Sequence, residues 1–160
     1  GISFSDLDND GDQDVYHSVG GFVKMDAFWN ILLENPGNVN NWVTLQFEGV
    51  KSNRSAIGTE VTIYSDGMEG KRKMFRVVGT GGSYGSSSLQ QEVGLGANNI
   101  ITSIEVYWPA SKKMQRFFDI KPNNFYHIQE NHNKIKLVKR KKLVLGNYNK
   151  RPQKNSHKHH

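Results

Sequence analysis

Five aspartates at alternate positions, Asp6, Asp8, Asp10, Asp12 and Asp14, fall within nine residues, with Gly11 inside the run. A hard, oxygen-seeking cation needs this pattern. Calcium takes about six to eight oxygens, and a glycine permits the sharp turn that points successive carboxylates inward. The predicted ligands are the side chains of Asp6, Asp8, Asp10 and Asp14, with Asp12 supplying its backbone carbonyl, and calcium is the expected cofactor. Without a cation, so many carboxylates in one short loop repel one another. An EF-hand would carry a bidentate Glu at the twelfth position, where this chain has His17. The residues after the loop, Val15-Tyr16-His17-Ser18-Val19, read as extended chain, which places the loop on a β-hairpin.

Other residues that could do chemistry lack the spacing for it. Gly79-Thr80-Gly81-Gly82-Ser83-Tyr84-Gly85 is glycine-rich, but Tyr84 stands where a dinucleotide fingerprint needs its third glycine, and no Lys-Ser/Thr follows. A flexible β-connection is the better account. Ser83 and Ser86 to Ser88 have no nucleophile-elbow context. His17, His127 and His132 have no metal-ligand spacing, and Glu60, Glu92 and Glu105 are scattered. No catalytic residue is assigned, and the expectation is a non-enzyme.

The elements that must hold the acidic loop are strands. From Trp42 onward apolar residues alternate with polar ones: Val43, Leu45 and Phe47; Val61 and Ile63; Ile104, Val106 and Trp108. Phe75 and Val77, Phe117-Phe118, Phe125 to Ile128, and Ile135 to Val138 supply further strands. Turn signals separate them at Ser65-Asp66-Gly67, Gly79 to Gly85, Gly94 to Asn99 and Lys121 to Asn124. Met25 to Leu33 fits a buried strand or a short helix, and Asn35-Pro36-Gly37 ends it. Short strands with regular turns predict an all-β fold, an antiparallel β-sandwich-like domain preceded by a calcium-loop hairpin. Trp108 ends an inward row before Pro109 as a core residue or, alternatively, a glycan-stacking platform.

Charge is distributed unevenly. Residues 1–133 hold 11 Lys/Arg and all 15 Asp/Glu, a net of −4, whereas residues 134–160 hold 10 Lys/Arg and no acid. The predicted organisation is residues 1–40 with the calcium loop, a β domain over 41–133, and a basic strand with a disordered tail over 134–160. The tail reads as a solvated terminus, with a polyanion-binding arm as the sharper alternative; no nucleic-acid fold signature accompanies it. Cysteine is absent, so disulfides and thiolate chemistry are excluded. No apolar run approaches the ~20 residues that span a bilayer. Gly1 opens the chain without an initiator Met, and the expectation is an excerpt of a longer protein.

Two resemblances rest on these residues. Asp6 to Asp14, preceded by Ile2-Ser3-Phe4-Ser5 and followed by Val15-Tyr16 and Gly20-Gly21, resembles an FG-GAP/VCBS repeat, a blade unit of β-propellers in secreted and surface proteins. Asn41-Trp42-Val43-Thr44-Leu45 and Gly49 to Val61 resemble the opening of an ASPIC/UnbV domain. Arg76 to Tyr84 is similar to that family's glycine-rich segment, and Val93-Gly94-Leu95-Gly96 and Ile104 to Pro109 resemble its later strands, over about residues 41–130. Ala110-Ser111-Lys112 departs from the family's Ser-Gly turn.

The resemblance implies an extracellular or cell-surface interaction module, calcium-stabilised, that binds protein or carbohydrate partners. The alternatives are a carbohydrate-binding module of a glycan-processing assembly, or an accessory domain of an enzyme whose catalytic part lies upstream. The residues best equipped for a ligand are Lys51, Asn53 and Arg54, on one loop, and Tyr84 on another. Asn53-Arg54-Ser55 is also a glycosylation sequon.

Overall fold

The computed structural model describes residues 1–21, 28–82 and 85–145. Eleven strands form in chain order: β1 Ile2–Ser5, β2 Asp14–His17, β3 Ile31–Leu33, β4 Asn41–Glu48, β5 Glu60–Asp66, β6 Arg72–Val77, β7 Gln91–Gly96, β8 Ile100–Trp108, β9 Lys113–Phe117, β10 Asn124–Gln129 and β11 Lys136–Val138. They make a small sheet, β1-β2-β3, and two four-stranded sheets, β11-β10-β4-β7 and β6-β5-β8-β9. Among the described residues the all-β reading holds, and no barrel closes. Among the described residues no helix is long and apolar enough to cross a membrane.

Alternation builds the core. Val61 and Ile63 of β5 and Ile104, Val106 and Trp108 of β8 are buried, while their neighbours along each strand are partly open. They meet Val43 and Leu45 of β4, Val93 and Leu95 of β7, and Tyr126 and Ile128 of β10 in one cluster. The two larger sheets therefore pack face to face. Trp108 is 0% exposed. Its indole donates to Gln115 and meets Phe47 edge-on across the sheets. This settles Trp108 as core rather than a sugar platform.

Along β8 the inward period is broken once. Ile101 and Ile104 both face the core because pairing with β5 shifts between Tyr64 and Ser65, leaving Thr102 as an extra residue. The Thr102 hydroxyl donates to the Tyr64 carbonyl at 3.1 Å.

Within this antiparallel-rich fold one pair runs parallel: β4 and β10, from Asn124 beside Val43 to Gln129 beside Glu48. A parallel neighbour needs a long crossover. Here the crossover is the other sheet together with β7. Gly94 and Gly96 belong to a strand, as the family resemblance of Val93 to Gly96 implies, and the turn signal read over Gly94 to Asn99 is met only after Gly96. In β7 Val93 and Leu95 face the core, and the glycines occupy its outward positions. The apolar run before Asn35 yields a strand at Ile31–Leu33, whereas its residues Met25 to Ala27 lie outside the described residues.

The outer face of the β11-β10-β4-β7 sheet carries Trp42, Thr44 and Phe125. Trp42 and Phe125 meet edge-on, with ring centroids 4.9 Å apart. On this face the acidic loop between β1 and β2 is seated.

Candidate metal centre

The loop is shaped by its own carboxylates. Asp6 accepts from the backbone amides of Asp10 and Gly11 at 3.0 and 3.1 Å. Asp8 accepts from Asp10 at 3.2 Å, and Asp10 from Asp12 at 3.1 Å. Asp14 closes the loop from the far side, accepting from Leu7 and Asn35, both at 2.9 Å. The turn needs left-handed backbone at Asn9 (φ 62°) and Gly11 (φ 96°). Asparagine and glycine are the residues that tolerate it best.

The consequence is three buried carboxylates aimed at one point. Asp6, Asp8 and Asp14 are 5%, 2% and 1% exposed. One oxygen from each lies within 4.8 Å of the others. Burial drives the Asp6 carboxyl up to about 6, against the two amides it accepts from, with the charges of Glu92 and Asp10 adding to the rise. Burial, the Asp10 charge and its other acidic neighbours bring Asp12 to about 6 as well. Asp8 is raised by burial and by Asp10. The Asp12 Oδ1 atom is buried and has no hydrogen-bond partner.

Crowded, desolvated carboxylates and an orphaned acidic oxygen fit a divalent cation, whose charge would reverse each of these penalties. The donor set is all oxygen, which suits calcium rather than a soft metal. Four of the predicted ligands behave unequally. Asp6, Asp8 and Asp14 converge, while Asp10 turns its Oδ2 to the Lys142 ammonium at 2.8 Å. Burial would raise the Asp10 carboxyl, but Lys142 and the Asp12 amide outweigh it and hold it low. Asp12, expected to offer its carbonyl, also has its side chain among the carboxylates.

Several contacts fasten the loop to the sandwich. Glu92 of β7 accepts from the Asp6 amide at 3.1 Å, the Ser5 hydroxyl at 3.4 Å and the Gln13 amide group at 2.7 Å. Gly11 lies against the Trp42 indole so closely that a Cβ there would overlap the ring. We expect Gly11→Ala to lower unfolding free energy by roughly 2–3 kcal/mol in urea titrations, through the left-handed backbone and the lost space together. A loss below about 0.5 kcal/mol would show that the indole swings aside at little cost. Between loop and sandwich lies a polar cleft of about 480 Å3, lined by Asp12, Asn35, Asn41, Trp42, Arg76 and Glu92 among others.

The predicted ligand-binding residues are placed differently. Arg54 reaches Glu48 at 3.3 Å and lines a shallow cleft of about 340 Å3 with Ser55, Ser88, Gln90 and His127. The loop after β4 and the segment before β7 thus meet at this cleft. The Asn53 side chain is committed to its own loop: its amide donates to the Ile57 carbonyl and its oxygen accepts from the Ile57 amide. Lys51 is exposed, and its backbone amide is held from behind. Tyr84 lies outside the described residues.

Holding that loop from behind is Glu130, a residue that pattern reading missed. It is 0% exposed. One carboxylate oxygen accepts the amides of Val50, Lys51 and Ser52 at 2.7, 2.7 and 2.8 Å, and the other the Ser52 hydroxyl at 3.1 Å. Burial alone would raise its pKa. The Ser111 hydroxyl and the three amides overcome that and bring it down to about 2.

Comparison with family models matches residues 49–135, more than half the chain, to ASPIC and UnbV. The chain belongs to the ASPIC and UnbV family. No curated protein is similar enough to match. The ASPIC and UnbV match takes in β5 to β10, the Arg54 loop and Glu130. It leaves out β4, which lies between β10 and β7 in its sheet, and the acidic loop.

Proposed function

We propose that this chain is a non-catalytic, extracellular or cell-surface binding module whose acidic loop holds calcium and so fastens the N-terminal segment to the ASPIC and UnbV sandwich. The observation that carries the reading is the convergence of buried Asp6, Asp8 and Asp14 at the point where the loop meets Trp42 and Glu92. Residues 1–40 are then the end of an FG-GAP/VCBS-type repeat. A cation staple suits a chain without cysteine in a calcium-rich compartment. Partners are protein or carbohydrate, met at the Arg54 cleft, where Glu48, His127, Ser88 and Gln90 offer polar groups around Phe47.

Isothermal titration with calcium is expected to show binding in the parent chain and none in Asp8→Ala with Asp10→Ala. Glycan-array and pull-down probing of the parent and Arg54→Ala tests the cleft. A partner bound equally by a folded Arg54→Ala chain would place recognition elsewhere. A glycan ligand would favour the carbohydrate-binding alternative over a protein scaffold.

A further inference from the structure

The segment after β11 returns to the acidic loop and ties itself there. The Leu143 amide donates to the Asp8 carbonyl at 2.6 Å, and the Asn9 side-chain amide to the Lys141 carbonyl at 3.2 Å. Arg140 donates to the Asn9 side-chain oxygen at 3.2 Å, and its guanidinium lies 4.6 Å from the centre of the Phe125 ring. Lys142 sets its ammonium 2.8 Å from Asp10 Oδ2 and 3.7 Å from Asp8 Oδ2. A strap, residues 140–143, thus lies over the loop, and its lysine sets one positive charge beside two of the five aspartates.

We infer that this strap is a built-in competitor for the cation: Lys142 holds the loop closed in the absence of calcium, and calcium displaces it and frees residues 140–143. This rests on the calcium reading of the loop. Asp8 is common to both cations: it belongs to the converging trio, and its Oδ2 lies 3.7 Å from the ammonium. Calcium bonds carboxylate oxygens at about 2.3–2.6 Å, so an ion held by Asp8 comes within a few ångströms of the ammonium, where like charges repel strongly. The lysine side chain is 64% exposed and has open solvent to move into. The Leu143, Lys141 and Arg140 contacts that remain are hydrogen bonds to neutral acceptors and one ring contact, each of modest net worth, so losing the ion pair loosens the strap. Linkage is reciprocal: whatever sequesters the strap tightens calcium binding by the same factor that calcium loosens the strap. Lys139 to Lys142 are thereby made available or withheld according to calcium.

The test compares the parent with Lys142→Met, which keeps the length of the stem and removes the charge. Calcium affinity by isothermal titration is expected to rise about tenfold in Lys142→Met, within the usual range of coupling between sites. In parallel, hydrogen–deuterium exchange at the Leu143 amide is expected to be slow in chelator and to accelerate when calcium saturates the parent. Equal affinities, or a Leu143 amide whose exchange calcium does not change, would overturn the strap while leaving the calcium site standing. Calcium binding by Lys142→Met alone supports the competition in its strongest form. No binding by either chain overturns the calcium reading and the strap together.

Discussion

Calcium at a hundredfold excess over its dissociation constant is expected to raise the melting temperature by about 8 °C. Binding to the native state alone contributes about 2.7 kcal/mol at that excess. A domain of this size gains roughly 3 °C per kcal/mol. What the cation would relieve is electrostatic: Asp6 and Asp12 are each pushed up to about 6 by burial and acidic neighbours. Asp8→Asn is the discriminating variant. It removes a charge from the converging trio yet retains an oxygen for the Asp10 amide. Its apo form should melt at or above the parent's temperature, and the calcium-dependent rise should largely vanish. A parent chain whose melting is the same in chelator and in millimolar calcium would sink the reading.

The second large effect is expected at Glu130. Replacing it by Ala strands three backbone amides without their acceptor at a buried position. The expected loss is roughly 3–5 kcal/mol, a large part of the stability of an ordinary domain. Glu130→Gln keeps one acceptor oxygen but turns an NH2 toward donors, for a loss of about 2–3 kcal/mol. The pH dependence separates this role from simple packing. The folded pKa of Glu130, about 2, lies below its ordinary value of 4.5. A depressed carboxyl stabilises fully above its unfolded pKa, and the contribution fades as pH falls through the folded one. The parent–variant difference in urea unfolding should therefore be constant above about pH 5 and shrink between 4.5 and 2. A difference that does not change with pH would mean that the carboxylate charge is not what holds the loop.

How much of this was legible depends on how local each feature is. The acidic loop could be read because its ligands lie within nine residues, and the chain needs no tertiary knowledge to bring Asp6 near Asp14. Strands β4, β5 and β8 were legible because half-buried sheets impose a period of two. To pattern reading strand β7 was obscured by Gly94 and Gly96, residues that signal a turn locally but here sit on the outward side of a buried row; only the family resemblance of Val93 to Gly96 marked it as a strand. The Glu130 cradle could not be read: its amides lie 78 to 80 residues away, and a single acid after Ile128 gives no local signal. The basic stretch after residue 133 reads as a solvated arm or an arm for an outside polyanion. In the structure Arg140 and Lys142 find their counterparts on Asn9, Asp8 and Asp10 of the same chain. Of the predicted basic strand and disordered tail over 134–160, residues 146–160 lie outside the described residues.

The parallel pairing of β4 with β10 has a consequence for how the chain comes to fold. Asn41 to Glu48 are made early on the ribosome, yet one of their two neighbours, Asn124 to Gln129, emerges about eighty residues later. In the interval β4 can pair with β7 alone, and its other edge stays open to strangers. The acidic loop waits longer still, since Lys142 and Leu143 follow β10 in the chain. Contacts this distant in sequence slow folding, because the loop-closure entropy must be met before any of them forms. Nascent chains stalled before Gln129 should therefore be the protease-sensitive, aggregation-prone species, and emergence of Asn124 to Leu143 should be the step that commits the sandwich.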